Sequence, residues 1–205
     1  MDVYILRHGE THWNAIQRIQ GQLPAELNDM GRSQASEVGA KLANFGIQKI
    51  FSSDLIRCHE TARIVNNLIN VDLVLSSALR EITYGDWEGN FWENVYSENP
   101  YLNGDWKLLG SRFDSPGGEK ALVFRKRVIS EFAGIVADAR EQKILIVSHG
   151  QVMKMILSCF ATVKESELFT FQRINNCDPI HLNSDKITIF LDRHLAGDQF
   201  DLVQG

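Results

Sequence analysis

Apolar runs and amphipathic segments alternate along the chain and predict strands that are followed by helices. Short apolar runs predict four strands, at residues 3–6, 49–52, 144–147 and 187–191. Longer segments with apolar side chains at helical spacing predict four helices, at residues 31–45, 55–69, 120–139 and 152–160. We expect the first helix to end at Gly46. The alternation predicts one α/β domain over residues 1–205, a three-layer sandwich in which helices flank a mostly parallel sheet.

Residues 84–118 differ from the rest of the chain because aromatic side chains are concentrated there. Three of the four tryptophans lie in this segment, which ends in Pro116-Gly117-Gly118. Two interpretations stay open: a helical insertion with a core of its own, or a cap that leans over a substrate site, since insertions in open α/β sheets often shape the ligand crevice. The aromatic residues are Tyr84, Trp87, Phe91, Trp92, Tyr96, Tyr101, Trp106 and Phe113.

Composition narrows the class of protein. The 205 residues are 44% hydrophobic and carry a net charge of -5, so no basic surface for nucleic acid is expected. No basic leader and no run of about 20 apolar residues is present, so we expect a cytoplasmic protein that does not span a membrane. Cys58, Cys159 and Cys177 are odd in number and widely spaced, which predicts free thiols.

Two short strings of reactive residues directly follow predicted strands. Arg7-His8-Gly9-Glu10-Thr11 follows the first strand, and Ser148-His149-Gly150 follows the strand at 144–147. Because the carboxyl ends of parallel strands meet at one edge of a sheet, His8 and His149 are expected to lie close together there. Gly9 and Gly150 are expected to bring backbone N–H groups close to a bound anion.

Further residues fit a site for a phosphoryl group. Arg57 stands near the start of a predicted helix, where an arginine fork and helix N–H groups both favour phosphate. Glu81 is a candidate acid for the leaving oxygen. Simpler interpretations stay open: Arg57 could pair with Glu60 or Asp54, Glu81 could be a solvated surface residue, and His149 could be structural.

No metal site is predicted. His8 and His12 flank Glu10, but the helical zinc motif needs its glutamate directly after the first histidine. Gly9 is also a poor helix residue.

The ordered set of motifs resembles the histidine phosphatase superfamily, in its phosphoglycerate-mutase-like branch. The resemblance runs from Tyr4 to about Leu191. Members of the acid-phosphatase branch usually continue the Arg-His-Gly triplet with Arg-x-Pro, which this chain lacks. The strings that carry the resemblance are Arg7-His8-Gly9-Glu10-Thr11 with Asn14, Gln20-Gly21, Leu27-Asn28-Asp29-Met30-Gly31, Ser52-Ser53-Asp54-Leu55 with Arg57, Thr61-Ala62, Glu81, Tyr84-Gly85-Asp86-Trp87-Glu88-Gly89, Pro116-Gly117-Gly118-Glu119 and Ser148-His149-Gly150.

The resemblance implies a covalent mechanism without a cofactor. His8 would attack phosphorus and form a phosphohistidine, while Glu81 would protonate the leaving alkoxide and later activate water. Arg7, Arg57 and His149 would hold the equatorial oxygens and replace Mg²⁺ as the stabilising charge. The residues expected to complete the substrate site are Asn14, Gln20, Gly21, Tyr84 and Gly150.

Phosphatases and mutases share this resemblance, and the cap favours a phosphatase. Trp92 stands where a mutase would place a lysine, although Tyr84 matches the mutase pattern. Residues 84–114 hold six acids and two bases, which predicts a single phosphate on a neutral, ring-bearing alcohol. We expect α-ribazole phosphate or a broad range of monoesters as substrate. A phosphoglycerate mutase and a non-catalytic phospho-ligand binder stay open as alternatives, as does a homodimer.

Overall fold

A computed structural model describes residues 1–99, 115–160 and 174–195, and shows a five-stranded sheet. The strand order is β3-β2-β4-β1-β5. The first four strands in this order run parallel, and β5 pairs antiparallel with β1. The mostly parallel α/β fold predicted from the sequence is therefore confirmed. The strands are β1 (Asp2–Arg7), β2 (Lys49–Ser53), β3 (Asp72–Ser76), β4 (Lys143–Ser148) and β5 (Ile180–Leu182).

Seven α-helices lie in the described part of the chain. The polar residues that cap them explain several of their ends: the Asn28 side chain accepts from Gly31 N–H at 2.8 Å and starts α2, and Asn70, with a left-handed φ of 58°, ends α3. The helices are α1 (His12–Ala15), α2 (Asp29–Leu42), α3 (Ile56–Ile69), α4 (Trp92–Glu98), α5 (Ala121–Asp138), α6 (Gly150–Ser158) and α7 (Ser184–Leu195).

Alternate residues of the central strands face two separate cores, which makes the sandwich three layers thick. In β4, Leu145 and Val147 pack with side chains of α2 and α3, whereas Ile144 and Ile146 pack with those of α5, α6 and α7. Both sets are fully buried. Successive side chains of a strand point to opposite faces of the sheet, so a strand that is covered on both faces needs apolar residues at every position. Polar residues of these strands therefore lie at the two ends of the sheet.

The predicted strand at 187–191 is wrong, because this run belongs to α7. Ile187 and Phe190 are buried three positions apart, on one face of the helix, while Ile189 between them is exposed. Asn183 accepts from Lys186 N–H at 3.2 Å and so favours a helical start. A five-residue apolar run cannot distinguish a strand from a helix by periodicity alone.

The end of helix α2 and the presence of strand β3 also differ from prediction. Helix α2 ends at Leu42, and Gly46, with a φ of 70°, lies in the turn beyond it. Strand β3 was not predicted because it is the edge strand of the sheet and leaves Val74 and Leu75 exposed. Its alternation of buried and exposed residues is therefore weak.

The described part of the segment at residues 84–118 packs onto the main core. Tyr84, Trp87 and Val95 are buried in the same cluster as the side chains of α5 and α6. The segment also pairs with the loop after α1, because Ile19 N–H donates to Asn90 O and Gly89 N–H donates to Ile19 O. These contacts argue against a separate core for this part. Tyr101, Trp106 and Phe113 lie outside the described residues.

Two predictions from the composition of the chain, on its cysteines and on membrane-spanning segments, can be compared with the structure. Cys58, Cys159 and Cys177 are all free thiols, as predicted. Across residues 1–99, 115–160 and 174–195, none of the helices has the length and apolar character needed to cross a bilayer.

We expect Leu6→Ala to destabilise the protein by about 2–5 kcal/mol, because Leu6 is 0% exposed between the sheet and the α2–α3 layer. The matched control is Leu122→Ala on α5, where the side chain is 53% exposed and the cost should stay within about 0.5 kcal/mol. Urea unfolding followed by circular dichroism measures both. Equal losses for the two variants would contradict the assignment of this core.

Candidate active site

His8 lies immediately after β1, and its backbone and ring are both fixed. Its N–H donates to Ser148 O at 3.0 Å, and its carbonyl accepts from Asn176 Nδ2 at 2.6 Å. The ring Nδ1 lies 2.7 Å from Gly9 O. Because a carbonyl can only accept, Nδ1 carries the proton and Nε2 keeps its lone pair. The described contacts therefore leave Nε2 as a nucleophile.

Gly9 serves the loop and not the anion, which corrects the expectation for its N–H group. That N–H donates to Thr61 Oγ1 at 3.0 Å, and the Thr61 hydroxyl donates to Arg57 O at 2.7 Å. A Cβ at Gly9 would lie 2.4 Å from Gly31 O, so any larger residue would push α2 away. Gly9 is therefore required by close packing.

Arg57 lies in the first turn of α3 and is almost fully buried. Its guanidinium donates to Gly21 O at 2.7 Å and to Leu23 O at 3.2 Å. Its Nε has no hydrogen-bond partner among the described residues.

The simpler interpretation of Arg57 as an ion-pair partner of Glu60 or Asp54 is wrong. Arg32 pairs with Glu60 at 2.8 Å, and Arg80 pairs with Asp54 at 2.6 Å. The positive charge of Arg57 is therefore available to a ligand.

The carboxyl group of Glu81 is held in place beside the start of α6. Its carboxyl oxygens accept from the N–H groups of Ile82 at 3.1 Å and Gln151 at 3.2 Å. Burial raises the pKa of Glu81 above its ordinary value, although the Gln151 N–H and the charge of Arg57 oppose this rise. A raised pKa keeps more of the acid protonated near neutral pH, as a general acid requires. The interpretation as a solvated surface residue does not fit these contacts.

His149 is fully buried beside His8. The two ring centroids are 5.4 Å apart, and His149 Nε2 lies 2.9 Å from Ser53 Oγ and 3.3 Å from Cys58 Sγ. The structure therefore brings the two histidines together as predicted. His149 does not line the pocket that His8 lines, so its expected contact with the phosphoryl oxygens stays a prediction.

The electrostatics of the site keep both imidazoles neutral. Burial, followed by the charges of Arg57 and Arg7, lowers the pKa of His8 well below its ordinary value. Burial also lowers the pKa of His149, with Arg57, His8 and Arg7 adding to the effect. A neutral imidazole is the nucleophilic form, so burial together with the two arginines favours the protonation state in which His8 can attack phosphorus.

The candidate active-site pocket has a volume of about 180 Å³ and opens at the carboxyl ends of β1 and β4. Every predicted site residue except His149 lines it. Arg7, which donates to Ile174 O at 2.7 Å, is one of its walls. The lining residues are Arg7, His8, Asn14, Arg18, Gln20, Gly21, Arg57, Glu81, Tyr84, Trp92, Gly150, Gln151, Lys154 and Ile174.

The predicted substrate-binding residues occupy the pocket in different ways. The Oδ1 of Asn14 accepts from Thr11 N–H and its hydroxyl, which leaves the amide N–H groups of Asn14 to donate. Gly21 has a φ of 50°, and a Cβ there would collide with the carboxylate of Glu88. Tyr84 meets Trp92 edge to face, with ring centroids 5.3 Å apart.

Gly150 and Gln20 complete this set. Gly150 begins α6 and lines the pocket, where an added Cβ would lie 3.8 Å from Arg7 Nε. The Oε1 of Gln20 is buried without a hydrogen-bond partner among the described residues.

Sequence reasoning missed Arg18, Gln151, Lys154 and Ile174. Lys154 follows Gly150 by four residues, so helical spacing from the motif would have placed both on one face of α6. Arg18 and Ile174 lie in irregular segments, where no periodic sequence pattern predicts that a residue belongs to the site.

The charge of the pocket is opposite to the one expected from the cap. Among the described lining residues, four are basic, namely Arg7, Arg18, Arg57 and Lys154, and Glu81 is the one acid. The described acids of the cap segment lie elsewhere: Asp86, Glu88, Glu93 and Glu98 do not line the pocket. The count of acids along the sequence therefore did not predict the field at the site.

Comparisons with known proteins agree with this geometry. The model of the histidine phosphatase superfamily (branch 1) matches residues 3–194. A probable phosphoglycerate mutase from Salmonella paratyphi B is 35% identical over 162 residues, which cover 77% of this chain and 74% of that protein.

Solved structures give the same fold. A mycobacterial glucosyl-3-phosphoglycerate phosphatase in complex with VO3 is 26% identical with a TM-score of 0.81, over 89% of this chain and 92% of that one. YhfR from Bacillus stearothermophilus is 27% identical with a TM-score of 0.82, over 89% and 90% of the chains. A putative alpha-ribazole-5'-P phosphatase from Escherichia coli has a TM-score of 0.74 at 23% identity, over 90% and 91%, and shows the shared fold alone.

We expect Arg57→Ala to weaken the binding of inorganic phosphate by about 10-fold or more, because a buried charged donor is lost. Arg63→Ala, on the exposed side of the same helix, is the matched control and should bind phosphate like the wild type. Isothermal titration calorimetry measures both. Because Arg57 also holds the loop at Gly21, Arg57→Lys tests whether a charge alone restores binding. Unchanged binding in Arg57→Ala would contradict the assigned phosphoryl site.

Proposed function

The chain belongs to the histidine phosphatase superfamily, and from that premise we propose that it hydrolyses small phosphate monoesters through a phosphohistidine on His8. One observation carries the proposal. The Nδ1–H of His8 is held by Gly9 O, so a neutral Nε2 is left in a pocket that Arg7, Arg57 and Glu81 share. A nucleophile, fixed positive charges and a proton donor are the parts that phosphoryl transfer needs.

In the first step, the lone pair of His8 Nε2 forms a bond to phosphorus while the bond from phosphorus to the ester oxygen breaks. The proton of Glu81 passes to that oxygen, so the alcohol leaves neutral. Arg7 and Arg57 offset the charge on the equatorial oxygens. The amide of Asn14 and the backbone N–H of Gly150 at the start of α6 complete the set of donors.

In the second step, water takes the place of the alcohol. Glu81, now a carboxylate, accepts a proton from the water whose oxygen attacks phosphorus. The bond from phosphorus to nitrogen breaks, its electron pair returns to His8, and inorganic phosphate leaves. Because fixed cations supply the stabilising charge throughout, the proposal needs no divalent metal ion.

Two observations favour hydrolysis. The glucosyl-3-phosphoglycerate phosphatase is similar over 89% of this chain, and Trp92 lines the pocket where the mutase resemblance would place a lysine. The probable phosphoglycerate mutase, at 35% identity, favours a second candidate in which His8 returns its phosphoryl group to another hydroxyl. The likeness to alpha-ribazole phosphatases extends to the fold and does not select a substrate.

The wild type is expected to release phosphate from p-nitrophenyl phosphate in EDTA and to acquire an acid-labile, base-stable phosphoryl label. His8→Ala should lose both, because no nucleophile remains. His12→Ala is the matched control, since this histidine is exposed at the start of α1 and should keep both activities. Phosphate release measured with molybdate and radiolabel retained on the protein are the readouts.

Other outcomes of this experiment select the alternatives. Interconversion of phosphoglycerates that depends on bisphosphoglycerate, without net release of phosphate, would identify a mutase. The absence of both label and turnover would support the non-catalytic phospho-ligand binder instead.

We expect Glu81→Gln to lower the first-turnover rate about 10²-fold or more for alkyl phosphates, whose alkoxide needs a proton. For p-nitrophenyl phosphate the first turnover should survive and the phosphoenzyme should accumulate, because an acidic phenol leaves unaided while water is no longer activated. Rapid-quench measurement of both esters distinguishes these effects. Glu98→Gln, exposed on α4, is the matched control.

The same variant should change the pH profile of kcat/KM. Because the pKa of Glu81 is raised, its proton is available at low pH and is lost as the pH rises through that pKa, which produces a basic limb. Glu81→Gln should lack this limb. The lowered pKa of His8 should keep the acid limb below the ordinary pKa of histidine, 6.5, in both proteins. A basic limb that persists in Glu81→Gln would contradict the role of Glu81.

A further inference from the structure

The segment that carries Glu81 has little regular structure, and side chains from other elements hold its backbone. Residues 78–81 follow β3; the first two end a short 3₁₀ turn (Ser77–Leu79), and the last two belong to no helix or strand. The carbonyl oxygen of each of these four residues accepts a hydrogen bond from a side chain. Since no strand ladder supplies partners here, these side chains determine where the backbone of Glu81 lies.

Three side chains supply the four hydrogen bonds. They come from α5, from the end of β4 and from the loop after α1, so the segment is tied to three parts of the fold. Arg127 on α5 supplies two of the four through a single Nη1 atom. The bonds run from Arg127 Nη1 to Ala78 O and Arg80 O, both at 2.9 Å, from Ser148 Oγ to Leu79 O at 2.8 Å, and from Gln22 Nε2 to Glu81 O at 3.0 Å.

Glu119 fixes the orientation of the Arg127 guanidinium. Arg127 Nε donates to Glu119 Oε1 at 2.9 Å, and Nη2 donates to Oε2 at 2.6 Å. A bidentate pair of this kind fixes direction as well as distance. The two side chains are 21% and 12% exposed, so water and salt screen the pair weakly. The N–H of Glu119 also donates to Thr83 O at 3.0 Å, so the pair holds the backbone on both sides of Glu81.

The carboxyl group of Glu81 is held from a different helix. Its Oε2 accepts from Gln151 N–H at the start of α6 at 3.2 Å, and α6 packs with α5 in one core. Helix α5 therefore fixes the backbone of Glu81, and α6 fixes its carboxyl group. Neither Arg127 nor Glu119 is among the described residues that line the pocket, so this pair reaches the proposed chemistry through Glu81.

We propose that Arg127, oriented by Glu119, is a positioning residue for Glu81 and serves the two proton transfers of the reaction. The inference rests on the proposed function and adds to it a pair of residues outside the pocket. Proton transfer requires the carboxyl group within hydrogen-bond distance of the leaving oxygen, and a misplacement of about 1 Å costs on the order of 100-fold in rate. Binding of the phosphoryl group and attack by His8 do not use the pair.

Arg127 is the side chain to change because it separates the acid from the nucleophile. Ser148 also accepts from His8 N–H, so a change there would disturb both groups. Arg127→Gln removes the fork but leaves the Glu119 carboxylate without this partner. The double variant Arg127→Gln/Glu119→Gln removes both charges, so an unpaired carboxylate does not destabilise the protein. Lys126→Gln, at the neighbouring exposed position of α5, is the matched control.

The first test compares an ester that needs the acid with one that does not. Rapid quench should show that Arg127→Gln and the double variant lower the first-turnover rate of ethyl phosphate about 10- to 100-fold. The first turnover of p-nitrophenyl phosphate and the Kd of inorganic phosphate should match those of Lys126→Gln. Equal losses for the two esters would overturn the proposal, because Arg127 would then support the whole site.

The second test asks whether Arg127 acts through Glu81. In the Glu81→Gln background, Arg127→Gln should leave the first-turnover rate of ethyl phosphate unchanged, because a group without a transferable proton gains nothing from its position. A further loss by the factor seen in the wild-type background would overturn the proposal.

Amide hydrogen exchange keeps a third test independent of turnover. Gln151 N–H lies in the first turn of α6, which offers it no intrahelical carbonyl, and Glu81 Oε2 accepts from it. If the wild type releases phosphate from neither ester, the proposed hydrolysis has failed, but exchange at this amide still reports the position of the carboxyl group. By NMR, Arg127→Gln should speed exchange at Gln151 about 10-fold or more while the amides of β4 keep their protection. Unchanged exchange at Gln151, or an equal rise in β4, would overturn the role of Arg127.

Discussion

The backbone hydrogen bond from His8 N–H to Ser148 O is the contact on which the site depends. It continues the parallel β1–β4 ladder by one residue beyond the strand ends, so the two motif strings are held in register. Every side chain that follows is positioned relative to this edge: His8 against His149, and Arg7 against Gly150. Because both strands are buried on two faces, the edge cannot shift without disturbing both cores. The fold thus supplies rigidity where phosphoryl transfer needs fixed geometry.

The arrangement buries positive charge, which is unfavourable. Backbone carbonyl groups compensate because they accept hydrogen bonds from the buried guanidinium groups. Arg57 donates to Gly21 O and Leu23 O, and Arg7 donates to Ile174 O, so backbone dipoles solvate both guanidinium groups, and no ion pair among the described residues involves Arg57. Dipoles leave the net positive charge available to an incoming dianion, whereas an acid partner would cancel it. Burial, with the charges of Arg57 and Arg7 adding to its effect, lowers the pKa of both His8 and His149, so the groups proposed to bind the phosphoryl oxygens also favour the neutral form of His8.

The sequence was most informative where a local pattern coincides with a tertiary requirement. The apolar runs at residues 3–6 and 144–147, each followed by Arg-His-Gly or Ser-His-Gly, predicted the edge and the meeting of the two histidines. The pattern failed where tertiary contacts decide: an apolar run at 187–191 became α7, and edge strand β3 carried too weak an alternation. His149 is buried beside His8, and Thr61 Oγ1 accepts from Gly9 N–H. Both arrangements depend on side chains from β2 and α3 that no local sequence pattern connects to them.

The charge of the pocket shows most clearly that the position of charged residues in the fold matters more than their number in the sequence. The cap segment is rich in acids, yet none of its described acids lines the pocket, and Glu88 accepts from Gln22 N–H and Tyr84 N–H. The pocket instead collects basic side chains from β1, the loop after α1, α3 and α6, which are far apart in sequence. Field strength at a site depends on distance and local desolvation, so a few oriented cations outweigh more numerous solvated acids.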